Sequence, residues 1–256
     1  MAQGTVTRVV AVGASNLTRG FHTVVATARD LWGPEVEVLA ALGHGRSYGA
    51  TSTYLIRTLP GILHSGLWRE LESRPRVPTR ALVTDVGNDI LYGSSPAQIL
   101  AWVDECVARL QRVAQDVVIT GLPFAAVDGL SPRKFLLFRS VFFPRCRMTL
   151  DQTIDAARQV ETGLTAIADE HGARFCALKH DWYGLDPIHI RPRMWSAAWQ
   201  EILCGQAGDR PARRGSGREA LRLYCLLPER ASFVGLQRRT PQGGVALRAG
   251  GRVWLY

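Results

Sequence analysis

The stretch Arg8–Leu17, reading Arg-Val-Val-Ala-Val-Gly-Ala-Ser-Asn-Leu, limits what this chain can fold into more than any other. A short, β-branched apolar run that stops at a glycine is the pattern of a strand buried on both faces, as in a parallel sheet covered by helices. Beyond it, Phe21, Val24, Val25, Ala28, Leu31 and Trp32 recur at helical spacing, which predicts an amphipathic helix. Ser15 therefore falls between a strand end and a helix start. Open α/β sheets place their ligands there, and helix N-terminal amides there favour negative charge. Taken alone, Ser15 and Asn16 would serve equally well as helix caps.

The rest of the chain repeats the alternation. Residues 35–42, 80–86, 116–123 and 173–178 read as four further strands, each a short apolar run ended by glycine, proline or polar residues. Ser94-Ser-Pro-Ala-Gln98 opens a helix with Pro96 in its first turn, and Thr149-Leu-Asp-Gln152 has the form of a capping box before a long helix ending near Gly172. A last helix is predicted over 192–204, and residues 51–71 read as helical or mixed. The aromatic and basic stretch Phe135–Phe143 is predicted as a packed connecting helix, with a cover over an acyl-binding cleft as the alternative. Strands alternating with helices at this spacing imply an α/β, doubly wound parallel sheet.

At 256 residues the chain has room for one large domain with an appendage. The expected division is a main domain over 1–205, a glycine- and arginine-rich linker over 206–220, and a small basic β appendage over 221–256. The formal charge of +9 is concentrated late: ten arginines and three acids follow position 205. Arginine outnumbers lysine 29 to 2, a skew of coding composition rather than a phosphate-binding footprint, so no nucleic-acid partner is expected. No run approaches the roughly 20 apolar residues of a membrane span, and no leader pattern opens the sequence, so a cytoplasmic location is expected. Five widely spaced cysteines form no Cys-x-x-Cys pair, which argues against a disulfide framework or a zinc site. The oligomeric state is left open.

Four polar clusters stand at the carboxyl ends of predicted strands: Ser15, Gly43 with His44, Asn88 with Asp89, and Asp186 with His189. Strand ends on one edge of a parallel sheet converge, so these clusters can meet. Together they supply the parts of an acyl-transfer site. A serine hydroxyl needs a base to take its proton, and a histidine base needs an acid to fix its tautomer. Asp186 and His189, three apart in a proline-containing turn, can bring carboxylate and imidazole together. The backbone N–H groups of Ser15 and Gly43 and the side-chain amide of Asn88 are candidate donors to an oxyanion. His44, Arg46 and Tyr48 are candidate substrate contacts, and His44, His180 and Asp181 are rivals for the acid and base roles. In the structural alternative, Asn88 and Asp89 form a turn or cap, Asp186 starts a turn before Pro187, and His189 is a satisfied structural histidine.

Gly13-Ala-Ser-Asn-Leu17, Gly43, Gly87-Asn-Asp89 and Asp186-Pro-Ile-His189 resemble, in order and spacing, the four sequence blocks of the SGNH hydrolases, also called the GDSL esterase and lipase family. The resemblance covers roughly residues 5–204. It implies a flavodoxin-like three-layer α/β/α fold with five parallel strands. It further implies nucleophile Ser15, base His189, acid Asp186, oxyanion donors Ser15, Gly43 and Asn88, and no metal or organic cofactor. The substrate class it implies is a small-molecule carboxylic ester, with acyl transfer, deacetylation or a non-catalytic binding module as alternatives. Two positions depart from the family pattern. Ala14 replaces the usual aspartate, and Val86 stands where a glycine usually precedes the third block, with Gly87 beside it.

Overall fold

β1 (Thr7–Val12) lies at the centre of a seven-stranded sheet because residues 9–12 are apolar on both faces. In the computed structural model, residues 6–123, 131, 135–136, 139–140, 143, 146–205, 217–248 and 250–256 are described. Val9 and Ala11 pack beneath α1 (Ser15–Trp32), while Val10 and Val12 pack toward α4 (Pro96–Gln111) and α5 (Leu150–Glu170) on the other side. β1 is flanked in parallel by β2 (Val36–Ala41) and β5 (Thr79–Val83), followed by β6 (Asp116–Thr120) and β7 (Arg174–Cys176). These are the five expected parallel strands of a sheet with helices on both faces.

Register carries this architecture to the site. Val12 is opposite both Ala41 and Val83, so β1, β2 and β5 end level with one another. Their following loops leave side by side at one sheet edge. The helix starts read from the sequence hold as well. Ser95 accepts from the Gln98 N–H, and Thr149 with Gln152 forms a reciprocal capping box.

Two parts of the chain differ from the sequence reading. Within residues 51–71 the chain folds as a hairpin of β3 (Ser52–Tyr54) and β4 (Arg57–Leu59), a 3₁₀ turn over Ile62–His64 and a short α2 (Leu67–Ser73). Each strand is only three residues long, too short to show a period. The second difference is the tail. β11 (Arg252–Leu255) adds to the central sheet parallel to β2, and β10 (Val245–Ala246) pairs antiparallel with β11. β8 (Arg230–Phe233) and β9 (Leu236–Arg239) join β4 and β3 in a second, four-stranded sheet. Residues 221–256 are thus built into both sheets rather than set apart. The physical reason is burial: Val253 and Leu255 lie in the cluster with α1, and Trp254 and Tyr256 lie in the opposite cluster. A strand apolar on both faces has no stable place outside a covered sheet.

Of the expected linker, 206–216 lie outside the described residues. Residues 217–220 begin α7 (Gly217–Tyr224), where Glu219 approaches Arg29 of α1 at 3.5 Å. No helix among the described residues is long and apolar enough to cross a membrane.

The β8–β9 turn holds Val234 and Gly235 at φ 49° and 81°. Both values are in the left-handed region, which favours Asn-Gly and penalises a β-branched residue. Val234→Asn is therefore expected to raise stability by about 1 kcal/mol, read as a higher urea midpoint. An unchanged or lower midpoint would contradict the strain at this turn.

Candidate active site

Ser15 is the first residue of α1, and an acid from another strand leaves its hydroxyl free of capping duty. The N-cap residue Ala14 has no side chain to offer. Instead Asp85, just beyond β5, accepts the Ala14 and Leu17 N–H groups on Oδ2, each at 3.0 Å. Asp85 adopts φ 61°, a left-handed conformation that aspartate tolerates better than most residues. A carboxylate there also complements the positive end of the helix. The family pattern puts its aspartate at position 14, and here the same helix end receives its carboxylate from Asp85.

Asn16 ties this cap to the last site loop. Its side-chain amide donates to Asp85 Oδ1 at 2.8 Å and to the Ile188 carbonyl at 2.9 Å, and its Oδ1 accepts the Ile190 N–H at 2.8 Å. His189 is held between these two backbone anchors. Its Nε2 lies 3.0 Å from Ser15 Oγ and its Nδ1 2.7 Å from Asp186 Oδ2. Because a carboxylate only accepts, a neutral His189 carries its proton on Nδ1, leaving Nε2 to accept from the serine hydroxyl. Burial alone would raise the Asp186 carboxyl. The His189 hydrogen bond and charge, the Ile188 N–H and Arg19 outweigh it and hold the group below the ordinary carboxylate value.

The cleft has two arms that meet at Ser15 and Asn88. One is apolar, walled by Leu91, Leu122, Ile154, Ala157 and Ile188. The other is lined by Arg19, His44, Gly45, Tyr54 and Phe143 as well as His189. The structure therefore brings Ser15, Asn88, Asp186 and His189 together, as the sequence predicts. Gly43 is buried at the back of this edge, where a Cβ would lie 2.3 Å from Leu59 Cδ1 and where its carbonyl accepts the Arg46 N–H. At this loop, His44 and Gly45 form the cleft wall.

Of the three candidate substrate contacts, only His44 faces the cleft, stacked on Tyr54 with ring centroids 5.5 Å apart. Its imidazole is lowered to about 4 by burial first, then by Arg57, His189 and Arg19, so it is neutral near pH 7. Arg46 and Tyr48, contrary to the sequence expectation, are both fully buried. Arg46 donates to the carbonyls of Pro60, Leu42 and Tyr256, fastening the loop to the end of β11. The Tyr48 hydroxyl donates to the Thr84 carbonyl at 2.7 Å. They are framework of the loop, not its surface. His180 and Asp181 are exposed on a 3₁₀ turn, where the Asp181 carbonyl accepts from Arg191. Phe143 is buried edge-on against Tyr92, whereas positions 137–138 and 141–142 of the aromatic stretch lie outside the described residues. Among the described residues no group of three or more His, Cys, Asp or Glu converges as metal ligands, and all five cysteines are free thiols.

No protein-family model matches this chain, and no curated protein sequence matches it. Solved structures do. The native M. smegmatis aryl esterase aligns with a TM-score of 0.51 at 13% identity, over 78% of this chain and 97% of that one. The fold is similar to that of the M. smegmatis aryl esterase. A member of the lipolytic protein G-D-S-L family from Veillonella parvula DSM 2008 aligns at 0.49 and 14% identity, over 78% of this chain and 97% of that one. AlinE4, named as an SGNH-hydrolase family esterase, aligns at 0.40 and 16% identity, over 78% of this chain and 92% of that one. At such identities the likeness speaks for the fold, and the chemistry has to be argued from the residues.

Asp89, next to Asn88, is buried and accepts the Tyr48 N–H at 2.9 Å. Burial pushes its carboxyl from 3.8 up to about 6, against the lowering by Ser47 and the Tyr48 N–H. The folded chain thus keeps a proton that the unfolded chain has released, and stability falls as pH rises from about 4 to about 6. Asp89→Asn is expected to flatten this part of the stability profile, measured by urea denaturation across that window. An unchanged slope would contradict the assignment.

Proposed function

We propose that this chain is a serine hydrolase of carboxylic esters that works through an acyl-enzyme. The observation that carries the reading is the continuous relay from Ser15 Oγ through His189 to Asp186, with separations of 3.0 and 2.7 Å. His189 Nε2 takes the hydroxyl proton as Ser15 attacks the ester carbonyl, and Asp186 stabilises the imidazolium that forms. The oxyanion develops against the Ser15 N–H and the Asn88 side-chain amide, and its collapse breaks the bond to the alcohol. His189 returns the proton to the departing alkoxide. Water, activated by the same imidazole, then cleaves the acyl-serine ester and releases the acid. The relay supplies base, acid and nucleophile from side chains, so no step calls on a metal ion.

The two arms suggest how an ester would lie. The apolar arm suits the acyl group, where burial of each methylene contributes about 0.8 kcal/mol. The Arg19, His44 and Tyr54 arm suits a polar alcohol. A neutral His44 beside the cationic Arg19 can accept a hydrogen bond from an alcohol hydroxyl.

Turnover of p-nitrophenyl esters from acetyl to palmitoyl, with and without a chelator, tests this reading. Wild type is expected to be chelator-insensitive, with Ser15→Ala and His189→Ala reduced at least about 10⁴-fold and Asn88→Ala about 10²-fold. Asn16→Ala, which frees the His189 loop, is expected to lower kcat about 10²-fold with little change in KM. Equal activity in wild type and the Ser15 and His189 variants would overturn the proposal.

A further inference from the structure

The turns of the two hairpins in the four-stranded sheet lie side by side, since the Val234 N–H donates to the Ile56 carbonyl at 3.0 Å. Together they expose four large aliphatic side chains: Leu55 at 83%, Ile56 at 65%, Val234 at 77% and Leu236 at 77%. Single exposed leucines are ordinary, but four at one tip form a patch, and patches of this kind mark interaction sites. The backbone adds a second observation. Leu55 and Val234 hold left-handed φ values of 55° and 49°, where glycine or asparagine would relieve strain. These apolar residues stand there against both solvent and backbone preference, and backbone strain at such a position points to function.

Charge indicates the partner. Neither hairpin, 52–59 or 230–239, contains an acidic residue, while they carry Arg57, Arg230, Arg238 and Arg239. The neighbouring Glu229 is buried and lies within 4 Å of Arg69, Arg230 and Arg239, leaving Arg238 exposed on the edge strand β9. Topology links the tip to the cleft. The directly paired residues Tyr54, Arg57, Phe233 and Leu236 run in one row across the sheet, and Tyr54 lines the cleft with Ser15 and His189.

We propose that this double-hairpin tip docks on an anionic lipid bilayer. Leu55, Ile56, Val234 and Leu236 enter the boundary between headgroups and acyl chains, the exposed Arg238 pairs with lipid phosphate, and the cleft mouth is held near the surface. A second copy of the chain would oppose arginine to arginine at the same contact, whereas a negative surface complements them. The docking goes beyond the hydrolase reading and does not rest on it.

Co-sedimentation of the purified chain with vesicles of phosphatidylcholine and phosphatidylglycerol, against phosphatidylcholine alone, provides the test. Binding is expected only with phosphatidylglycerol and is expected to weaken with salt. Arg238→Gln is expected to lower vesicle affinity about fivefold. The triple variant Leu55→Ser, Ile56→Ser, Leu236→Ser is expected to lower it at least about tenfold with an unchanged urea midpoint. Should that variant misfold, Leu236→Ser alone carries the same sign. Ser15→Ala is expected to bind as wild type does, which separates docking from the chemistry at Ser15. Three results would overturn the proposal: no binding by wild type, undiminished binding by the folded variants at Leu55, Ile56 and Leu236, or a dimer that those substitutions dissolve in a chain that binds no vesicles.

Discussion

The site depends on one carboxylate, Asp85, that caps a helix it does not belong to. By accepting the Ala14 and Leu17 N–H groups it satisfies the start of α1 from the end of β5. The usual solution, a serine or asparagine capping its own helix, would have consumed the side chains of Ser15 or Asn16. With the cap supplied from a neighbouring strand, the Ser15 hydroxyl is within reach of His189. Asn16 is left to bridge Asp85 and the two backbone groups on either side of that histidine. Hydrogen bonds to a charged acceptor contribute roughly 1.5–3 kcal/mol each, so this one residue stabilises the fold and aims the site together.

Behind the site stands a sheet whose interior is mainly apolar, its few buried polar side chains, such as Thr120 on Thr84, being hydrogen-bonded. β1 is buried on both faces, which fixes its place between β2 and β5 and so fixes where the loops after Val12, Ala41 and Val83 emerge. β11 closes the far side of β2 for the same reason. Arg46 couples that closure to the site by running from the Gly43 loop to the Tyr256 carbonyl. The end of the chain therefore braces the loop whose His44 and Gly45 wall the cleft.

The most legible parts of the sequence were those governed by local, repeated rules. The β1 run, the Ser95 and Thr149 caps and the long apolar helix faces all follow from spacing alone, and so did the five parallel strands. Ser15, Asn88, Asp186 and His189 were legible as a set because strand ends converge. Asp85 was missed because it sits inside an apolar run read as strand, and its partners lie about 70 positions away in sequence. Arg46 and Tyr48 were misread for the opposite reason. Polar residues in a glycine-rich loop suggest a surface, but here their hydrogen bonds go to buried carbonyls. β11 carried the same both-face apolar signature as β1, and its isolation behind a basic, glycine-rich stretch disguised it.

The most direct test of the account is covalent. Treatment with a fluorophosphonate, followed by peptide mapping of the adduct by mass spectrometry, asks whether the Ser15 hydroxyl is activated as the relay requires. One adduct is expected, on Ser15, whose formation collapses in His189→Ala while the fold is retained. Failure to label, labelling at another residue, or labelling at Ser15 at an undiminished rate in His189→Ala would contradict it.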